Sequence, residues 1–420
     1  MRFAILWLAV LPLAAQTPLK LSLSEAEALA VQQHPGLADA HFTTQAAAQV
    51  TRETRAPLYP QLTGAVTGVE ALDNSRLAAG ALNAGNLAPR LAGGVLLQQL
   101  ITDFGRTGHL VNSSRLREQS AGQAEAATRA SLILNVDRAY FRVQRALAVL
   151  RVAEQTRSAR QVVSDQIGAL MRSNLKSQLD LSFANVNLAE AQLLETTARN
   201  EIQEAFADLS GALGSGDTHT FELSEPPVDS PPAGEMAAAV SAALDSRPDI
   251  KGFRLDRDAA LETAQAERAL SRPTVTAAGA VGGVPVHTNA LDGKYGAAGI
   301  NVSIPVFNGS LYAARRTEAE LRSQASASRV RDIENRVSQD TRVVWLQANT
   351  AYQRIALTGQ LQAQADLALS LAQSRYDLGL SSIVELTQAQ LNQTSAQIEN
   401  LTSRYDYQFQ LSALRYQTGH

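Results

Sequence analysis

Two runs of this chain, 106–172 and 311–377, contain no proline, and apolar residues recur along the first at helical spacing, as at Val136, Tyr140, Val143, Leu147 and Leu150. Roughly 65 residues at 1.5 Å each is ~100 Å of helix, far beyond what a globular core accommodates. A helix of that length with a narrow apolar stripe cannot bury itself in one compact core and needs lateral partners. Each run ends in what reads as a tight turn into a further helix, expected at 178–212 and from Ser382 to about Tyr416. Each turn carries a residue that tolerates the left-handed backbone a helix end wants, Asn174 in one and Gly379 in the other. Six positions on stands a single acid, Asp180 and Glu385 respectively.

Asn174 and Gly379 are 205 residues apart, as are Asp180 and Glu385, Tyr140 and Trp345, and Gly214 and Gly419. Pro35 and Pro248, like Pro60 and Pro273, are separated by 213, and Phe104 and Phe307 by 203. A period near 205 is too long for a solenoid unit, so the pattern reads as a tandem duplication. The expected organisation is a signal segment at 1–15, a first repeat at 16–213, a linker rich in Gly, Ser and Pro at 214–234, and a second repeat at 235–420.

Within each repeat a shorter helical stretch precedes the long one. Ser24 and Glu27 form an S-x-x-E pattern that places a helix start at Ser24, and that helix breaks at His34-Pro35 and resumes to about Ala56. The second copy starts at Met236, breaks at Arg247-Pro248 and stops before Pro273. Glycine-rich, β-branched stretches follow, predicting strands at 61–70 and 91–102 in the first copy and 274–283 and 295–307 in the second. Four strands cannot close a barrel, and a sheet with open edges cannot cross a membrane, so these strands either form a soluble sheet or close by oligomerising.

The opening MRFAILWLAVLPLAAQ reads as a cleaved secretory signal, with Arg2 before an apolar run and small residues at Ala14 and Ala15. No later segment approaches the ~20 apolar residues of a spanning helix. Only 18% of residues are charged and 5% aromatic, with Ala, Gln, Ser and Thr making up the difference, which suits closely packed helices with weakly charged surfaces. A net charge of −3 gives no reason to expect nucleic acid as a partner. There is no cysteine, hence no disulfide framework and no thiolate nucleophile.

Taken together, the duplication, the order of elements in each half, IPVFNG at 304–309, and Tyr376-Asp377-Leu378-Gly379 followed by Ile383-Val384-Glu385-Leu386 resemble the outer-membrane efflux proteins, the TolC-like channel components. The resemblance covers essentially the whole chain after the signal. It implies a mainly α fold with a small β part: long antiparallel helical hairpins forming an α-barrel, and four strands per chain contributing to a trimeric transmembrane β-barrel. It implies a homotrimer in outer-membrane lipid of a bacterium, with helices reaching into the periplasm. It further implies a periplasmic adaptor as partner, itself attached to an inner-membrane transporter. Loops 71–89 and 284–294 would face outside, and the turns at 173–177 and 378–382 would form the periplasmic tip. The chain would then be a passive exit duct; type I protein secretion uses the same fold, and a non-channel coiled-coil protein of the periplasm or cell surface is the reading from another class.

Three copies each of Asp180 and Glu385 would make acidic rings that favour cations at a pore constriction. Alternatively each acid serves its own helix N-terminus, where a negative charge is stabilising by ~0.3–1 kcal/mol. In relatives a tyrosine at the position of Tyr376 and an acid at that of Asp180 help hold the tip closed, although Tyr376 could equally be a packing residue. Ser381 stands where some relatives have an arginine of that latch, and Gln388 where some have a second acid. Asn174, Leu175, Ser177, Gly379, Leu380 and Ser382 are the tip residues expected either to dock the adaptor or simply to form exposed turns. Enzyme motifs fail: Ser173-Asn174-Leu175-Lys176 lacks the companion boxes of an S-x-x-K hydrolase, and Asp103-Phe104-Gly105 lacks the other kinase elements. The histidines are scattered and no H-E-x-x-H occurs, so neither metal nor other cofactor is expected.

Overall fold

The computed structural model describes residues 19–70, 89–225, 231–232, 234–286 and 292–419. The signal segment 1–15 and nearly all of loop 71–89 lie outside them. The elements run β1 (Leu19–Leu21), α1 (Leu23–Gln33), α2 (Pro35–Arg55), a short 3-10 turn, β2 (Gln61–Val69), β3 (Arg90–Thr102), α3 (Arg106–Arg172) and α4 (Gln178–Ala212). After them come β4 (Phe221–Leu223), α5 (Met236–Ser246), α6 (Pro248–Ala269), β5 (Thr274–Val286), β6 (Lys294–Ser303), α7 (Leu311–Asp377) and α8 (Ile383–Thr418). Two compact units divide the chain. One takes in Met1–Asp39, Ala127–Arg247 and Val337–His420, the other Ala40–Ala126 and Pro248–Arg336.

Among its described residues the regular structure of the first unit is helical apart from one small parallel pair, in which β1 lies along β4 with Leu19 opposite Phe221 and Leu21 opposite Leu223. The stretch expected to be only a linker therefore contributes a strand. The Tyr140 hydroxyl, buried on α3, donates to the Leu21 and Ser224 carbonyls at 3.0 and 2.6 Å. Gln144 donates to Ser224 as well. Val136, Tyr140 and Val143 of α3 pack with Phe206 and Leu209 of α4, Tyr405 of α8, and Leu21, Ala26 and Ala30.

The N-cap of α1 is Ser22, with Glu25 closing the capping box, rather than Ser24 with Glu27. The sequence holds the same S-x-x-E pattern twice, two residues apart. The pairing of β1 ends at Leu21 and leaves Ser22 extended, so the earlier copy wins. Glu27 is thereby released from the cap and lies beside Asp137 of α3.

A close approach occurs twice in this unit. Gly214 (φ 84°) abuts His34 and Pro35 beyond α4, and Gly419 (φ 80°) abuts Ser246 and Arg247 beyond α8. A Cβ at Gly214 would sit 2.9 Å from the His34 Cα, and one at Gly419 would sit 2.9 Å from the Ser246 Cβ. Only glycine meets both the left-handed backbone and the missing space.

The second unit carries an antiparallel sheet of order β2-β3-β5-β6, so β2 and β6 are edge strands. Side chains alternate between faces along each strand. The register places Leu62 and Val66 of β2, Leu91, Val95 and Leu97 of β3, Val281 of β5, and Ile300 and Val302 of β6 on one face. All are 40–81% exposed. The opposite face carries Gln61, Thr63, Thr67, Gln98, Thr276, Asn301 and Ser303, interrupted by Val69, Leu96, Leu100 and Tyr295. Strand β6 stops at Ser303, short of the expected 307, because Pro305 has no N–H for the ladder and the pairing of β5 begins at Thr274. Strand β5 runs on to Val286.

Each strand-to-helix turn below the sheet has two consecutive residues of positive φ, Phe104-Gly105 before α3 and Gly309-Ser310 before α7. Asp103 accepts from the Thr107 N–H at 2.7 Å, so the kinase-like tripeptide is a helix start. In this unit Ser and Thr hydroxyls tie helices together directly: Ser113 donates to the Ala259 carbonyl, Ser120 to Gly252 and Thr44 to Ala121. His109–Glu262 and Arg254–Glu334 pairs join α3 to α6 and α6 to α7. No described helix is long and apolar enough to cross a membrane.

Candidate functional site

The two turns at the ends of α3 and α7 are built alike. Asn174 has φ 59° and Gly379 φ 74°. The Leu175 N–H donates to the Leu170 carbonyl at 2.9 Å and the Asn174 N–H to Met171 at 3.0 Å. In the other turn Leu380 donates to Arg375 at 2.8 Å and Gly379 to Tyr376 at 3.0 Å. This is the Schellman arrangement, which pairs the last carbonyls of a helix and needs one left-handed residue. Leu175 and Leu380 follow that residue and are 69% and 68% exposed.

Serines restart the chain. Ser177 caps α4 and Ser382 caps α8, each hydroxyl accepting from the N–H three residues on, Asp180 at 3.1 Å and Glu385 at 3.4 Å. The acids then diverge. Asp180 folds back on its own cap, accepting from the Ser177 N–H at 3.0 Å and hydroxyl at 2.8 Å. Glu385 instead reaches the last turn of α7, its Oε1 lying 3.2 Å from Arg375 Nε. The structure thus gives both acids a helix-terminal position and binds each to a partner within the chain.

Tyr376 is 5% exposed and packs with Ile167 of α3, Ala184 of α4, Ala372 of α7, and Ile383 and Leu386 of α8. Its hydroxyl is buried with no hydrogen-bond partner, and so is the Ser381 Oγ. Burial, followed by the charges of Asp180 and Asp377, pushes the phenol up to about 12. The Lys176 ammonium sits 3.8 Å from the ring centroid. Lys176, Asp180 and Tyr376 are therefore brought together, while Gln388 points along its own helix to Asn392. Asn187 of α4 donates to Thr387 of α8 at 2.9 Å, holding the two returning helices side by side.

One feature is invisible to a motif search. A groove of about 450 Å³ between α3, α7 and α8 is lined by Gln155, Gln373, Gln390, Gln393 and Gln397, with Asp366 and Arg160 on its walls. Arg160 is buried, and that burial pushes its guanidinium down to about 10 against the opposing charge of Glu190. The only sequence trace of the groove is the helical spacing of glutamines on α8.

Helical hairpins with matching turns in one unit, and an amphipathic four-stranded sheet in the other, define a class of mainly helical proteins with a small β part. The family described as outer membrane efflux protein matches residues 28–215 and again 239–420, and this chain belongs to it. Among relatives, the outer membrane protein TolC of Salmonella enteritidis is 23% identical over 401 residues, covering 92% of this chain and 79% of its own. The solvent efflux pump outer membrane protein SrpC of Pseudomonas putida is 26% identical over 316 residues, 72% of this chain and 65% of that one. Among solved structures, a membrane protein from Pseudomonas aeruginosa superposes with a TM-score of 0.85 at 22% identity, over 94% of this chain and 90% of that one. CusC gives 0.82 at 21% identity, over 94% and 92%.

Proposed function

We propose that this chain is the outer-membrane exit duct of a tripartite efflux system, three copies closing one β-barrel in the membrane and one helical barrel in the periplasm. The observation that carries the reading is the sheet. One face carries exposed aliphatic side chains on all four strands and the other carries most of the polar ones, the apolar-out, polar-in bias of a membrane barrel. Its strands of nine to thirteen residues suit a tilted crossing. Strands alternate in direction from β2 to β6, so β2 of one copy meets β6 of the next antiparallel, and three copies make a closed barrel of about twelve strands with no free edge. A coiled-coil stalk would have no use for such a sheet.

The helices support the same assembly. Leu179, Val186 and Leu193 on α4 recur every seven residues and are exposed, and on α7 Leu357 and Leu371 are exposed two such steps apart. A seven-residue apolar repeat is a seam awaiting another helix. The relatives are named as outer membrane proteins, SrpC as that of a solvent efflux pump. In this reading the two matched regions are tandem duplicates, the turns at 173–177 and 378–382 meet a periplasmic adaptor, and an inner-membrane pump supplies the energy. Asp180 and Glu385 ring the constriction at the tip, with Tyr376 packed behind them as a closing element.

Single-channel recording of purified, folded trimers in a planar bilayer tests this. The expected result is a small, cation-preferring conductance that changes in the Asp180→Ala, Glu385→Ala double variant. No conductance from a verified oligomer refutes the duct. A channel indifferent to both substitutions keeps the duct and removes these acids from its constriction.

A further inference from the structure

Tyr295 stands near the start of β6 on the polar face of the sheet. The register sets it in one row with Gly282 of β5, Gly94 of β3 and Ala65 of β2. It is the only side chain in that row larger than a methyl group. A Cβ built on Gly94 or on Gly282 would overlap the Tyr295 phenol at its oxygen and Cζ. The ring therefore lies down across both glycines, with its outer end in the space that two side chains would otherwise fill. The same Cβ atoms would also meet the Val281 and Gly93 carbonyls, at 2.7 and 2.5 Å, so the recess is available to glycine alone. Glycine inside a strand weakens it and leaves a bare patch of backbone, and an aromatic ring laid over two of them covers that patch. One ring face rests on the wall and the residue remains 44% exposed.

We propose that Tyr295 is a solute-contacting residue of the outer half of the duct, offering a wall-parallel aromatic face to organic cations. The proposal rests on the duct reading, in which the polar face of the sheet lines the lumen. A tyrosine standing upright there would narrow the passage. Lying flat, it leaves the passage open and turns its negative quadrupole face toward passing solute, the geometry in which a ring attracts a cation. The flanking row on the same face, Thr63, Leu96, Ala280 and Ala297, carries no charge to compete or screen. Three copies at one height give three such faces.

The test is block of channel current by tetraphenylphosphonium, titrated against trimers of the native chain, Tyr295→Ala and Tyr295→Phe. The apparent affinity is expected to fall about two- to fivefold in Tyr295→Ala, the range of an exposed cation–π contact, and to persist in Tyr295→Phe. Equal block in all three overturns the proposal. Because the chain has no cysteine, Tyr295→Cys and Ile300→Cys report the faces independently. A charged, membrane-impermeant thiol reagent should modify Tyr295→Cys and spare Ile300→Cys in lipid vesicles. The reverse labelling overturns the face assignment and this inference with it. Absence of any current from folded trimers removes the duct reading itself, an outcome distinct from unaltered block.

Discussion

Glu27 on α1 and Asp137 on α3 form a carboxyl pair inside the helical unit, and replacing one of them should change how the fold depends on pH. Asp137 is 3% exposed. Burial foremost, with the neighbouring Asp137 charge, pushes Glu27 from 4.5 up to about 7, while Arg415 of α8 pulls the other way. Asp137 is likewise raised by burial, opposed by hydrogen bonds from Ser412 and Glu27 and by Arg415. The other acid of α1, Glu25, is held by its own cap. A carboxyl whose proton is held more tightly in the fold than in the unfolded chain stabilises the fold fully below its ordinary pKa, and that contribution is lost as pH rises through the folded value. At ~1.4 kcal/mol per pH unit, the gap between 4.5 and about 7 sets an upper bound of roughly 3 kcal/mol. Partial hydration and sharing of the proton reduce this to about 1–2 kcal/mol. Thermal melts followed by circular dichroism at fixed scan rate should therefore show the native protein losing about one to three degrees between about pH 5 and about pH 8. Glu27→Gln keeps a neutral hydrogen-bonding side chain, so its melt should lose most of that slope and lie above the native one at the alkaline end. A native melt that is level across the range, or an unchanged slope in Glu27→Gln, would refute the shared-proton account.

Other outcomes follow from single contacts. Tyr376→Phe removes a buried hydroxyl without a partner and should leave stability within ~0.5 kcal/mol of native or raise it, whereas Tyr376→Ala should cost about 3–5 kcal/mol; denaturant midpoints separate the two. Ser177→Ala should cost ~1 kcal/mol by the same measurement and free the Asp180 carboxylate from its cap. Gly419→Ala must take positive φ and push into Ser246, so it should destabilise by more than about 1 kcal/mol. Arg375→Gln unpairs Glu385, and if Glu385 faces the pore, cation preference in bilayer reversal potentials should rise; an unchanged reversal potential would place the pair away from the ion path.

The long helices were legible because no proline interrupts 106–172 or 311–377 and because Asn174 and Gly379 mark where left-handed backbone ends each one. The sheet was only half legible. In β5 the alternation of TVTAAGAVGGVPV is blurred by glycine and alanine, and its two faces separate only once the register aligns Val281 with Val95 and Gly282 with Tyr295. The parallel pair of β1 with β4 was not legible at all, since three residues carry no period and the partner stands some 200 residues away. That omission propagated, because it is the end of β1 that selects Ser22 over Ser24 as the cap. The pair of half-buried Glu27 with buried Asp137 belongs to the same kind of fact: no spacing along the chain joins residues from α1 and α3.

The two turns also show which parts of a site each level of description can specify. Their backbones agree in the sign of φ, in the pattern of carbonyls satisfied and in the capping serine, since a helix that must reverse within a few residues has few solutions. The side chains hung on that frame are not so constrained. Asp180 is locked to Ser177 by two hydrogen bonds, a short-range arrangement that salt barely reaches. Glu385 is bridged to Arg375 by two half-exposed side chains, an interaction worth at most about 1 kcal/mol and weakened by added salt. Lys176, lying over Tyr376, adds a positive charge to the first turn that the second lacks at the matching place, Ser381. Six acids at a trimeric tip would therefore not act as two equal rings. The Asp180 carboxylates would hold their positions at any ionic strength, and the Glu385 carboxylates would exchange between Arg375 and solvent, so the salt dependence of selectivity would reside in the second turn.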